Sequence, residues 1–433
     1  MRRARLAGGL VSGGVLLAYL LVLRHHYSSG PPGAAAARPL PQRQRSHRPG
    51  LQYGVMFDAG STGTRVHVFK FQMKSRAAPS LQQETFSSIQ PGLSSYADDP
   101  EKCSSGILAL LDLARSSIPS SMWSRTPVVL KATAGLRLLP GDKAGQLLDT
   151  VRALFQKSPF MSTEDSVSIM TGQDEGISAW VTVNFLTGGL QGPGSGTVGI
   201  LDLGGGSTQI TFSPPDQKSV QMSNDVLLSF QMFNITHTVY THSYLGLGLM
   251  STRLDVLGGG HSAGGSRELV SPCLAPGYVG SWAHGEAVYR VRGQTAGGTG
   301  TGTGTVYQAC VSRVETVLDG TVRRTSPLDG LDFYAFSYYY DRAVDLRLVD
   351  EQLGGTVRVS DYTAAAQTVC SSLSSSPPVS PFLCLDLVYI SVLLQQLGFL
   401  PDQQLKLART IGDVETSWAL GAALQYLQTL NPP

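Results

Sequence analysis

The sequence predicts an α/β fold with layered sheets built around a duplicated unit, and three observations carry that prediction. First, one strand–turn–strand device occurs twice. YGVMF (53–57) is a short apolar run ending at Asp58, and after DAGSTGTR (58–65) the alternating run VHVFKF begins at Val66. TVGIL (197–201), DLGGGST (202–208) and QITF (209–212) repeat the same grammar, with Asp202 placed as Asp58 is. Second, strand and helix patterns alternate between and after the two copies, as in layered α/β proteins. Third, 433 residues, 42% of them hydrophobic, provide for two or three domains of roughly 100–200 residues each and a core that needs no disulfide support.

At the N-terminus Arg2, Arg3 and Arg5 precede an uncharged, largely apolar stretch, residues 7–23. A basic flank before an apolar core is a signal peptide or a signal anchor. The stretch is short for a spanning helix, which needs about 20 residues, yet no small-x-small cleavage site follows directly, and this favours the anchor. In either case the arginines stay cytoplasmic and the rest enters the lumen. No later segment has a comparable run, so membrane contact is expected through residues 1–27 only. Residues 28–50, rich in Pro, Gly and Arg, read as an extended stalk.

The charge total conceals an asymmetry. Lys+Arg number 33 and Asp+Glu 31, but residues 1–50 hold eight arginines and no acid. The body therefore carries 25 basic against 31 acidic side chains. A nucleic-acid binder wants a basic surface, so such a partner is excluded for the folded part.

Within that body, Ile107, Leu108, Leu110, Leu111 and Ala114 recur at helical spacing before Pro119, and VVLKAT (128–133) is β-rich. Ile177, Trp180, Val181 and Phe185 mark a helix opening at Asp174 and Glu175. Leu420, Ala423, Leu424, Leu427 and Leu430 form the stripe of a last helix. Five cysteines suit an oxidising compartment. Four of them allow three pairings; Cys273–Cys310 and Cys370–Cys384 are expected because each closes a polar loop, which leaves Cys103 as a buried thiol. Asn234 heads the glycosylation sequon Asn-Ile-Thr. Glycine is abundant, 49 residues, but it lies in short clusters, so a collagen-like reading fails. One cluster, GQTAGGTGTGTGT (293–305), reads as a surface loop with no phosphate role.

The chemistry lies in the two glycine turns. Small residues let backbone N–H groups approach an anion, and hydroxyls add donors. Ser61, Thr62, Gly63, Thr64 and Arg65 provide this on one turn, and Gly204, Gly205, Gly206, Ser207 and Thr208 on the other. Facing each other, they suit a polyphosphate. Asp58 and Asp202 at the strand ends suit a hard divalent cation, directly or through its waters. GQDEG (172–176) places two carboxylates at a helix start, where acids also favour the dipole; beside a phosphate, Glu175 can deprotonate a water for in-line attack. No P-loop, HExxH or GxSxG occurs.

DAGSTGTR (58–65), ATAGLR (132–137), GQDEG with Trp180 (172–180), DLGGGSTQ (202–209) and SWALG (417–421) occur in this order. Together they resemble the five apyrase-conserved regions of the ecto-nucleoside triphosphate diphosphohydrolases. The resemblance runs from about Tyr53 to the C-terminus and is closest to the luminal or secreted nucleoside-diphosphatase branch, within it to type six. It implies two RNase H-like lobes of the actin/Hsp70/sugar-kinase type with the site in the cleft, residues 51–170 plus 410–433 forming lobe I and 171–409 lobe II. It also implies that Asp58 and Asp202 hold Ca²⁺ or Mg²⁺ through water, and that residues 61–65 and 204–207 cradle phosphates. Glu175 would be the base, with Thr133, Ser207 and Gln209 positioning the water and Arg137 a supporting charge. Tyr339 or Tyr340, in FYAFSYYY (333–340), would face the nucleobase, while Trp418 would brace its lobe.

The implied activity is divalent-cation-dependent hydrolysis of nucleoside diphosphates, GDP, IDP and UDP before ADP, with triphosphates slower. The expected setting is the Golgi or secretory-pathway lumen, as a type II membrane protein or a cleaved, secreted one, monomeric or weakly oligomeric. The rivals are a kinase on the same fold, which would need an acceptor site, and a nucleotide-gated binding protein of the Hsp70 sort, which would need a further binding domain.

Overall fold

The structure is a computed structural model describing residues 50–74, 77–192, 195–215, 227–259, 267–285, 287–294, 305–325, 328, 330–373 and 380–430. The apolar N-terminal segment, the stalk up to residue 49 and residues 295–304 of the Gly/Thr tract lie outside the described residues. Among the described residues no helix is long and apolar enough to cross a membrane.

The first glycine device becomes a hairpin of β1 (Leu51–Ala59) and β2 (Thr64–Lys74). With β3 (Ala77–Ile89), β4 (Val128–Ala132) and β5 (Val167–Ile169) it forms a five-stranded sheet of order β3-β2-β1-β4-β5. Both faces of the central strands are covered, which explains why β1 and β4 read as nearly continuous apolar runs. Val66 and Val68 join Tyr53, Val55 and Phe57 on one face, and Phe69 and Phe71 join Met56 on the other. Helices α1 (Ser104–Ser117) and α3 (Lys143–Lys157) pack on the first face, α2 (Ala134–Arg137) being a single turn after β4. Leu108 is 46% exposed, because it sits one residue, about 100°, from the Ile107–Leu111 stripe.

The second device is the hairpin of β6 (Gly199–Leu203) and β7 (Ser207–Phe212). It lies in a seven-stranded sheet with β8 (Leu227–Met232), β9 (Ile235–Leu245), β13 (Phe333–Ser337), β14 (Gly355–Arg358) and β15 (Gln404–Leu407), in the order β14-β15-β13-β6-β7-β9-β8. The two sheets share one plan. In each, the hairpin's first strand pairs with its second antiparallel and with a later strand parallel: β1 with β2 and β4, β6 with β7 and β13. The duplication expected from the glycine turns is a duplication of sheet topology.

Between the sheets lie α4 (Gly172–Leu186) and α10 (Ala419–Leu430), sharing one core with residues from both. α4 is buried nearly all round; several of its internal polar side chains are bonded, while Trp180 Nε1 is buried without a partner. Ser178 Oγ donates to Gln425 Oε1 at 3.0 Å, Thr182 Oγ1 accepts the Gly421 N–H at 2.8 Å, and Asn184 exchanges bonds with Val198. A methyl at Gly421 would collide with the backbone of Ser178, so these helices touch main chain to main chain.

Outside the second sheet pack α5 (Leu249–Leu257), α6 (Val306–Leu318), α7 (Tyr338–Asp345), α8 (Val359–Ser372) and α9 (Leu383–Leu397). A small sheet of β10 (Glu268–Ser271), β11 (Val279–His284) and β12 (Ala287–Gly293) and the two-strand pair β16 (Thr410–Ile411) and β17 (Val414–Glu415) complete the fold. The disulfides are Cys273–Cys310, joining α6 to the loop after β10, and Cys370–Cys384, joining α8 to α9; Cys103 is a buried free thiol.

Candidate active site

The two glycine turns face each other. A methyl at Gly205 would lie 2.5 Å from Ser61 Oγ, and one at Gly206 2.9 Å from the Ala134 side chain. Only hydrogen fits at these contacts, and the close approach brings both turns to one cleft of about 410 Å³. Gly60, Ser61 and Thr62 line it from one hairpin, Gly204, Gly205, Gly206 and Ser207 from the other. Gly63 and Thr64 do not line it. Gly63 O accepts the Gly60 N–H, closing the turn, and Thr64 is buried as the first residue of β2, so the cradle is shorter than residues 61–65. Arg65 lines the cleft, yet its Nη1 donates to Asp58 Oδ2 at 3.0 Å, so it is tied to a carboxylate before any phosphate arrives.

Glu175 enters this cleft from the start of α4. Thr171 caps the helix: its Oγ1 accepts the Asp174 N–H and donates to Asp174 Oδ2, which holds Asp174 outward and leaves the next residue to point in. The flanking glycines have a steric reason. A side chain at Gly172 would strike Ser243 and Arg137, and one at Gly176 would meet Thr211 and Thr241. Glu175 Oε2 accepts from Arg137 and, at 3.2 Å, from Gln209 Nε2, which also bonds Ser207 Oγ at 2.8 Å and Ser243 Oγ at 2.9 Å. Gln209 is thus a strut behind Glu175 rather than a group on the cleft wall, while Thr133, the residue before α2, lines the cleft.

Carboxylates crowd this end. Burial pushes Glu175 up to about 8; Arg137 pulls against that, and repulsion from Asp202 and Asp58 adds to it. Burial also raises Asp202 to about 6, against the hydrogen bond it accepts from Ser337 at 2.7 Å and with repulsion from Asp58. Asp58 Oδ1 is buried without a hydrogen-bond partner. An orphaned carboxylate oxygen among mutually repelling acids fits a cation. Among the described residues no three ligating side chains form a cage, so the fit is to a hydrated ion rather than one stripped by protein.

Ser337 was not legible beforehand. It joins β13 to α7 at φ 58°, ψ −131°, a strained conformation for a residue with a side chain. The tyrosine register needs correction: Tyr339 is fully buried, its carbonyl accepting from Tyr362, because the helix turns it into the core. Tyr338 and Tyr340 line the cleft, and the Tyr340 hydroxyl is bound to the Glu351 carbonyl. Asp341, Arg409 and Glu415, none expected, line it too, and Trp418 forms wall as well as brace.

Comparison with known proteins supplies the family. The GDA1/CD39 (nucleoside phosphatase) family matches residues 45–432. The chain belongs to the GDA1/CD39 family. Ectonucleoside triphosphate diphosphohydrolase 6 of Mus musculus is 55% identical over 382 residues, covering 88% of this chain and 82% of that protein. Nucleoside diphosphate phosphatase ENTPD5 of Homo sapiens is 47% identical over 88% of each chain. Among solved structures, a nucleoside triphosphate hydrolase of Neospora caninum superposes with TM-score 0.61 at 16% identity, covering 88% of this chain and 94% of its own. The fold is the mixed α/β type shared with that hydrolase, and this GDA1/CD39 member is a nucleoside phosphatase, a hydrolase acting on nucleotides.

Proposed function

We propose that the chain is a divalent-cation-dependent nucleoside diphosphatase of the secretory pathway. The observation that carries this is the convergence of two glycine turns, two aspartates and Glu175 on one cleft. The terminal phosphate is held by N–H groups and hydroxyls of the two turns. Glu175 accepts a proton from a water as its oxygen bonds to the terminal phosphorus, and the bond from phosphorus to the bridging oxygen breaks, leaving with the nucleoside monophosphate. Arg137 and Gln209 hold the Glu175 carboxylate, and Thr133 and Ser207 stand where the water must be aimed. Ca²⁺ or Mg²⁺, held through water by Asp58 and Asp202, would neutralise phosphate charge as it develops.

The 47% identical human relative, whose name specifies diphosphates, supports the diphosphate as substrate. The sequence resemblance supports GDP, IDP and UDP before ADP. The basic and apolar N-terminal segment, two disulfides and the exposed position of Asn234 at the turn between β8 and β9 support a luminal location, type II or cleaved. The test is phosphate release by the full chain from di- and triphosphates, with Ca²⁺, Mg²⁺ or chelator, beside Glu175→Gln. The variant should lose at least about 10²-fold, as expected for removal of a general base. Near-full activity of the variant, or indifference to chelation, removes the mechanism.

A further inference from the structure

The phosphate machinery leaves one end of the cleft unused. Asp341 and Arg409 line that end, both exposed, and neither side chain has a hydrogen-bond partner among the described residues. Their place follows from the sheet. β6, β13 and β15 are successive neighbours, with Phe336 opposite Asp202 and Ala335 opposite Leu407. Arg409, two residues beyond Leu407, therefore lies level with Ser337. It is displaced from the glycine turn after β6 by two strands, about 10 Å at ~4.8 Å per strand. Asp341 rises from the first turn of α7 directly after Ser337. A nucleotide whose terminal phosphate lies between the turns carries its base across a distance of this order. Asp58, Asp202 and Glu175 already supply the carboxylates of the phosphate end, and a further one at this distance suits a base.

We propose that Asp341 and Arg409 read the nucleobase and select a lactam edge, the chemistry shared by guanine, hypoxanthine and uracil. The inference rests on the nucleoside-diphosphatase reading and names the feature that sorts its substrates. With the base held in one orientation by its ribose, a ring N–H meets the Asp341 carboxylate and the adjacent carbonyl oxygen accepts from the Arg409 guanidinium. Both are charge-assisted hydrogen bonds. Adenine and cytosine invert the pattern: a ring-nitrogen lone pair then faces the carboxylate and an amino group faces the guanidinium. Tyr340 of α7 and Phe86 of β3 also line the cleft.

The experiment compares kcat/KM of the full chain for GDP, IDP, UDP, ADP and CDP with those of Asp341→Asn and Arg409→Gln. The wild type is expected to prefer GDP over ADP and UDP over CDP. Each variant should lower both ratios at least tenfold, equivalent to about 1.4 kcal/mol of discrimination. An equal fall for all five substrates would assign these side chains to the phosphate or ribose and overturn the proposal, as would unchanged ratios. A wild type that hydrolyses all five alike also overturns it while leaving the diphosphatase reading intact. Hydrolysis of none removes that reading, and this inference with it. Both side chains are exposed, and residual ADP hydrolysis reports that each variant is folded.

Discussion

Replacing Arg137 by methionine tests the electrostatics of the site most directly. Arg137 is the only cation bonded to Glu175 among the described residues, and its removal leaves Gln209 as the remaining donor to Oε2. A hydrogen bond to a charged group is worth about 1.5–3 kcal/mol, and about 1.4 kcal/mol is one pKa unit, so Glu175 should rise by roughly 1–2 units. The starting point is at or below about 8, because a cation near Asp58 and Asp202 cancels the two repulsions that help to raise it. Activity requires the ionised base, so the acid limb of kcat should move to higher pH by that amount. At pH 6.5 kcat falls by up to about 10–100-fold for a shift of 1–2 units, and by pH 10 most of the loss is recovered. The assay is phosphate release from GDP between pH 5.5 and 10 at saturating cation. A uniform loss at every pH, with the limb unmoved, would refute the electrostatic role and leave Arg137 as packing only.

Other outcomes follow from the same geometry. Ser337→Gly and Ser337→Ala both remove the donor to Asp202, so both should weaken cation dependence and lower activity; only the glycine variant relieves the φ of 58°, and its melting temperature should exceed that of the alanine variant. The cation-free protein should melt at a higher temperature at pH 5.5 than at pH 8.5. Glu175 and Asp202 ionise later in the native state than unfolded, so stability falls as pH rises from the ordinary carboxylate range, about 4, to about 8. His67, buried against Glu84 and also raised, contributes stability present below pH 6.5 and lost as pH rises through its folded value, the same sign. Calorimetry in chelator showing the opposite order would contradict the crowded-carboxylate picture. Asp386→Ala strands the buried guanidinium of Arg253, which donates to both Asp386 oxygens, and should cost about 3–5 kcal/mol in urea unfolding. Gly421→Val forces α10 away from α4 and should cost about 1–3 kcal/mol, with activity reduced because α4 carries Glu175.

Which parts of this protein can be read without coordinates depends on whether a property is local. Strand, glycine turn and aspartate follow from neighbours in the chain, and so both hairpins, the helix opening at Glu175 and the two sequence-local disulfides were legible. The ordered motifs were sufficient to indicate the family. The register of consecutive tyrosines was not, because which ring faces a cleft depends on where α7 starts, and that is set by the strained Ser337 and by β13 lying beside β6. Nor could Gly63 and Thr64 be separated from Ser61 and Thr62, since closing a turn and lining a cleft demand similar small residues. Arg409 and Asp341 are 68 positions apart and meet one cleft only because β15 and β13 pair in parallel. The sequence by itself determined the two glycine turns with their aspartates, which need only local backbone shape. Tertiary structure alone decided the partners of Glu175, the crowding that raises its pKa, and the charges at the far end of the cleft, because burial and through-space distance are properties of the packed sheets.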